Sequence, residues 1–182
     1  MNIPRIRMRF QKWSLFALIA ATGLNTYGEI VLPIEVMGAP PHTESVMLVL
    51  DEASAANAVS LEAQVHNVSF EDKGRIRVNG GPWYTLWNNV PEIKVAEPDR
   101  SYGGFGGGFS TVRFRIEVPD IVLLNGSNTV EFQYFWKHPD HATAGYRVVN
   151  VNILDSQGNR LLPPEFFIDD DPRLWAPPVS YT

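Results

Sequence analysis

The stretch SYGGFGGGFSTVRF, Ser101 to Phe114, holds five of the chain's 14 glycines. Glycine density of this kind is what a phosphate-cradling loop needs. A dinucleotide fingerprint also requires glycines at i, i+2 and i+5, following a strand and opening a helix whose N-terminal amides face the phosphate. Counting from Gly104 reaches Gly106 and then Phe109; counting from Gly106 reaches Gly108 and then Thr111. No Gly-Lys-Ser/Thr follows. Val112, Phe114, Ile116 and Val118 then alternate with Arg113, Arg115 and Glu117, the period of a half-buried strand. With no helix start, no anion site is built, and nucleotide chemistry is excluded on this motif.

The aromatic residues offer different chemistry. In PWYTLW, an inward Leu86 puts Tyr84 on the same inner face and turns Trp83, Thr85 and Trp87 outward. Flat rings with a wet rim suit stacking on sugar faces or anchoring a protein partner. Tyr102, Phe105 and Phe109, carried on the glycine loop, are placed to border this strip, so the candidate ligand-binding set is Trp83, Thr85, Trp87, Tyr102, Phe105 and Phe109. The plainer alternative is that one or both tryptophans pack beneath a neighbouring loop and that the glycines only permit tight turns.

His138, Asp140 and His141 in WKHPDH are metal-capable side chains, but a proline separates the histidines and no helix aligns them. A solvated turn explains them more simply, and no metal site is assigned. Asp169 to Pro172 offers oxygen ligands for a structural calcium yet matches no EF-hand spacing. Asp171 as an N-cap before Pro172 is the simpler account. No nucleophile elbow or recognisable paired-carboxylate context is present, so no catalytic residue is assigned. Arg75, Arg77, Arg113 and Arg115 fall on solvent faces, where Glu62, Glu117 and Glu131 make them cross-strand charge pairs and not an anion site.

The elements that must position these groups are nearly all strands. VMLVL, VSLEAQVHNV, GRIRVNGG, EIKVAE, STVRFRIEV, NTVEFQYFW, GYRVVNVNIL and EFFIDD read as short strands. Asn79-Gly80 signals a hairpin and Asn125-Gly126 a second turn, and only DEASAANA suits a helical turn or two. Trp136, in phase with Val130, Phe132 and Tyr134, is expected in the core. About eight strands with turn chemistry between them predict an all-β antiparallel sandwich or jelly roll.

Ahead of these strands, Arg5, Arg7, Arg9 and Lys12 precede the apolar run SLFALIAATGL, the layout of a secretory signal peptide. The expected organisation is a signal segment at 1–28, cleaved near Gly28, and one domain at 29–182 with its core at about 46–170. The run is too short to span a membrane, for which about 20 apolar residues are needed. Removal of residues 1–28 leaves 11 Lys and Arg against 20 Asp and Glu, a net charge of −9. Such a body repels nucleic acid and anionic membranes. The absence of cysteine excludes disulfides, thiol catalysis and lipidated-cysteine anchoring. A secreted or periplasmic location is expected, with stability resting on packing alone.

GRIRVNGGPWYTL, followed by the glycine loop and STVRFRIEVPDIVLLNGSNTVEFQYF, resembles the jelly roll of galactose-binding-like domains. The match includes the turn set Leu123, Gly126, Asn128 and Val130 and covers roughly Val46 to Leu154. The resemblance implies a sugar-binding module of the kind found beside secreted glycoside hydrolases. The later part, from Gly145 onward, faintly resembles sandwich modules attached to exported bacterial cytochromes, without their haem motif. A non-catalytic carbohydrate-binding module is therefore expected. The alternative is a structural or adhesive sandwich that docks an envelope protein.

Overall fold

The computed structural model describes residues 32–71, 73–95, 105, 111–137, 139 and 145–162. The expected signal segment and the expected strand at EFFIDD lie outside them. The described chain forms β1 (Ile34–Met37), β2 (His42–Leu50), α1 (Glu52–Asn57), β3 (Ser60–His66), β4 (Gly74–Val78), β5 (Tyr84–Thr85), β6 (Lys94–Val95), β7 (Thr111–Glu117), β8 (Gly126–Tyr134) and β9 (Gly145–Leu154).

All strand pairings are antiparallel, in a five-stranded sheet ordered β1-β9-β3-β7-β6 and a four-stranded sheet ordered β2-β8-β4-β5. Consecutive strands from β1 to β4, and again from β7 to β9, alternate between the sheets, which is the winding of a jelly roll. The expected all-β sandwich is what the chain forms.

Period-two alternation places Leu61, Ala63 and Val65 of β3, Val112, Phe114 and Ile116 of β7, and Val130, Phe132 and Tyr134 of β8 in one core between the sheets. Tyr146 crosses that core. Its hydroxyl donates to the carbonyls of Gln133 at 3.2 Å and Arg75 at 3.3 Å, tying β9 to the opposite layer. The Asn79-Gly80 turn after β4 has φ of 50° and 70°, the left-handed pair a tight hairpin requires. Asp51 caps α1 by accepting from the Ser54 amide at 2.7 Å. Asn128, fully buried, accepts from the Leu124 amide and donates to the Leu124 carbonyl. That part of the turn set is thus occupied in holding the β7–β8 connection.

Two expectations, one about an outer face and one about the core, are corrected. Ser60, Glu62 and Gln64, the alternate residues of β3, are buried at 5%, 5% and 3% exposure. As the middle strand of five, β3 has Arg115 and Arg113 of β7 on one side and Asn152 and Asn150 of β9 on the other. Trp136 is exposed, because β8 ends at Tyr134 and the alternation ends with it. Its ring meets Phe70 edge-on at 6.3 Å.

Candidate functional site on the outer face of the four-stranded sheet

The register of β2, β8, β4 and β5 lines up two polar rows across the outward face. Ser45 lies beside Glu131, and Glu131 beside Arg77; one step on, Thr43 lies beside Gln133, Gln133 beside Arg75, and Arg75 beside Thr85. In the first row Arg77 Nε and Nη2 donate to the two Glu131 carboxylate oxygens at 2.5 and 2.8 Å. The same guanidinium stacks on the Trp83 ring, 4.4 Å from its centroid. In the second row the Gln133 amide donates to the Thr43 hydroxyl at 3.0 Å, while Arg75 stacks on Phe135 at 3.4 Å.

Arg77 is therefore held between a ring and a carboxylate, and the Glu131 hydrogen bond raises its already high pKa. A planar fork fixed on two sides is pre-organised, so little side-chain entropy remains to be lost when its other N–H groups meet a ligand. Trp83 and Thr85 are half-buried, and Phe135 is exposed. This face can offer flat apolar surface together with fixed hydroxyl, amide, carboxylate and guanidinium groups.

Trp87 does not join it. Leu86 is fully buried, as its phase demands, but β5 ends at Thr85 and the backbone turns at once, with the Trp87 amide donating to the Thr85 carbonyl at 2.9 Å. Trp87 packs half-buried against the core. Tyr84 also packs there, and its hydroxyl donates to the Asp120 carbonyl at 2.6 Å. Phe105 is likewise no rim residue. It is 2% exposed, packs on Phe114 at 5.8 Å between centroids, and is clamped at its backbone by Asn88. The Asn88 amide donates to the Phe105 carbonyl at 2.8 Å, and the Phe105 N–H donates to the Asn88 side-chain oxygen at 3.0 Å. Tyr102 and Phe109 lie outside the described residues.

The charge pairs expected on the solvent faces include Arg77 with Glu131 and Arg115 with Glu62, the latter at 2.7 Å. His138, Asp140, His141 and Asp169 to Asp171 lie outside the described residues. Among the described residues no three His, Asp or Glu side chains gather as a metal site would need. No described helix is long and apolar enough to cross a membrane. A cleft of about 120 Å³ is lined by Val78, Pro82, Tyr84, Ile121 and Val122. It is well below the several hundred Å³ of a typical small-molecule pocket.

Lys73 carries no motif in the sequence. It is 2% exposed, and its ammonium donates to the Asn67 carbonyl at 2.8 Å and to the Ser69 hydroxyl at 3.3 Å. Burial lowers its pKa to about 8. Burial also lowers that of half-buried His66, helped by Arg147 and Lys73, while the His66 ring shares a hydrogen bond with the Thr111 hydroxyl at 2.9 Å.

Fold and face together define a jelly-roll domain with half-buried arginines and Trp83, and an exposed Phe135, on the outer face of one sheet. No family model, curated protein or solved structure matches the chain.

Proposed function

We propose that the protein is an exported, non-catalytic binding module that holds a carbohydrate on the outer face of the four-stranded sheet. The observation that carries this reading is the Trp83–Arg77–Glu131 row, an aromatic ring with a guanidinium and a carboxylate fixed beside it. Sugars present apolar C–H faces edged by hydroxyls, and such a row answers both. Thr43, Ser45, Arg75, Thr85 and Gln133 extend the polar contacts along the sheet. The basic, then apolar, N-terminus supports export, and the net charge of −9 without it argues against nucleic acid and anionic membranes. The turn-motif resemblance to galactose-binding-like modules points to the same ligand class.

A second reading, docking of an envelope protein, draws on Phe135 and Trp136, each 38% exposed at the end of β8. A glycan array probed with the purified protein, followed by calorimetric titration of any hit, separates the two. Trp83→Ala is expected to keep the fold and to weaken the sugar by about 1 kcal/mol or more, the level of an aromatic contact that matters at an interface. An array without hits, or a folded Trp83→Ala that binds unchanged, refutes the carbohydrate reading.

A further inference from the structure

The cleft of about 120 Å³ lies between the β4–β5 hairpin and the β7–β8 connection. Val78, Pro82 and Tyr84 line it from the hairpin, and Asp120, Ile121 and Val122 from the connection. Each side holds the other. The Asn79 side-chain amide donates to the Val122 carbonyl at 2.8 Å, and the Tyr84 hydroxyl donates to the Asp120 carbonyl at 2.6 Å. The cleft is therefore braced on both sides of Ile121 before anything enters it, which lowers the ordering cost of binding. These contacts also spend the polar groups. Asn79 gives its other amide hydrogen to Asn128 Oδ1 at 2.9 Å, and its oxygen accepts from the Thr129 N–H at 2.8 Å. A sugar hydroxyl would find little to bond there, whereas an apolar group needs no partner.

The surroundings are apolar and acidic. Val122 is 64% exposed and Leu124 47%. Residues 79–83 and 118–125, the two connections, contain no lysine, arginine or histidine. Glu35, Glu62 and Glu131 each face an arginine on the sheets, but among the described residues Glu117 and Asp120 have no cation against their carboxylates. Burial raises the Tyr84 pKa, and the charges of Asp120 and Glu92 add to it, so a negative field reaches the cleft. Glu117 is close by, its carbonyl accepting from the Ile121 amide at 3.3 Å.

We infer that this cleft docks a protein segment that presents one branched aliphatic side chain with lysine or arginine beside it. A cavity of about 150 Å³ takes a benzene ring, so 120 Å³ suits a leucine or valine side chain better than an aromatic one. The aliphatic group covers Ile121 and Val122, and the flanking cations meet Asp120 and Glu117. Phe135 and Trp136 follow the other end of β8, so this surface is separate from theirs. The carbohydrate-binding proposal is not needed for this inference.

The test is a titration of the isotope-labelled protein, followed by its amide resonances, with a capped pentapeptide of one leucine between paired lysines. Shifts are expected at Val78, Tyr84, Ile121 and Val122. Replacing the leucine by alanine should weaken binding about tenfold, as for an aliphatic side chain taken out of contact. Asp120→Asn should weaken it by a few-fold, the scale of one exposed ion pair, and the peptide with glutamates for lysines should not bind. Asp120→Asn and Val122→Ser change exposed side chains, so both variants should fold, and Val122→Ser tests the apolar side by itself. Trp83→Ala should bind the peptide unchanged, which keeps this result apart from the carbohydrate reading. The inference is overturned if the cleft amides stay unmoved up to the solubility limit of the peptide, or if the alanine peptide binds as well. Binding that survives both variants, or shifts confined to the face of Trp83 and Arg77, overturns it too.

Discussion

Lys73 makes stability depend on pH in a direction that can be worked out beforehand. An unfolded lysine titrates near 10.5, and in the folded protein burial holds Lys73 at about 8. The charged form is thus disfavoured by folding. Below pH 8 both states carry the proton and the cost is constant; between 8 and 10.5 the unfolded chain binds a proton that the folded chain does not, so stability rises with pH. At 1.36 kcal/mol per pH unit, pH 9.5 should add about 2 kcal/mol over pH 7.5, towards a limit of about 3 kcal/mol. The window must end there, because burial raises the pKa values of Tyr84, Tyr134 and Tyr146, and their ionisation in the unfolded chain pulls the other way above pH 10. Urea unfolding at half-unit steps from pH 7 to 9.5 measures the slope, and Lys73→Met should abolish it. Its stability at pH 7 should move less, because removing the buried charge is offset by leaving the Asn67 carbonyl without its donor. A flat profile in the native chain, or a slope that persists in Lys73→Met, refutes the reasoning.

Two core positions complete the set. Gly145 has φ of +136°, and a Cβ there would sit 2.2 Å from the Val36 carbonyl oxygen and 2.7 Å from the Met37 Cα, so Gly145→Ala must push β1 off β9. A loss of about 3 kcal/mol or more is expected in denaturant unfolding, whereas Gly158→Ala, where no atom lies within 4 Å, should bear only the backbone strain of its φ of +83°. Phe105→Ala should lose about 3–5 kcal/mol by the same measurement, as for a large ring removed from a core; a loss below 1 kcal/mol would put the ring back on the rim.

The strands read most easily from sequence were those with strict alternation over seven or more residues. β3, β7 and β8 each sink every second side chain into the core, and a period of two is visible without knowing what lies opposite. The Asn79-Gly80 turn was legible for the same reason, since its chemistry is local. β1 was not. Four residues, Ile34 to Met37, make too short a pattern, and they become a strand because Gly145 to Val148 of β9 pair with them more than 100 positions away. Trp87 and Trp136 fail alike: each was placed by carrying an alternation past the residue where its strand ends. Of the three residues expected outward on PWYTLW, Trp83 and Thr85 lie on the outer face and Trp87 does not. The partners that define the site, Glu131 and Phe135, come from β8 and its end, so only tertiary pairing brings them there.

Phe105 bears on what the glycine loop is for. Two glycine runs flank it, Gly103-Gly104 and Gly106 to Gly108, and between them the Phe105 ring lies against Phe114 in the core while Asn88 grips its backbone from both sides. Asn88 belongs to the connection by which the chain leaves β5 in one sheet and reaches β6 in the other. The clamp therefore ties Phe105, packed on Phe114 of β7, to the connection that joins the two layers. Aromatic density on a glycine-rich loop is thus no sign of a binding rim by itself, and at Phe105 the contacts show a core residue. On the sheet face, by contrast, Trp83 lies just ahead of β5 and is held by Arg77 of β4, itself fixed by Glu131 of β8.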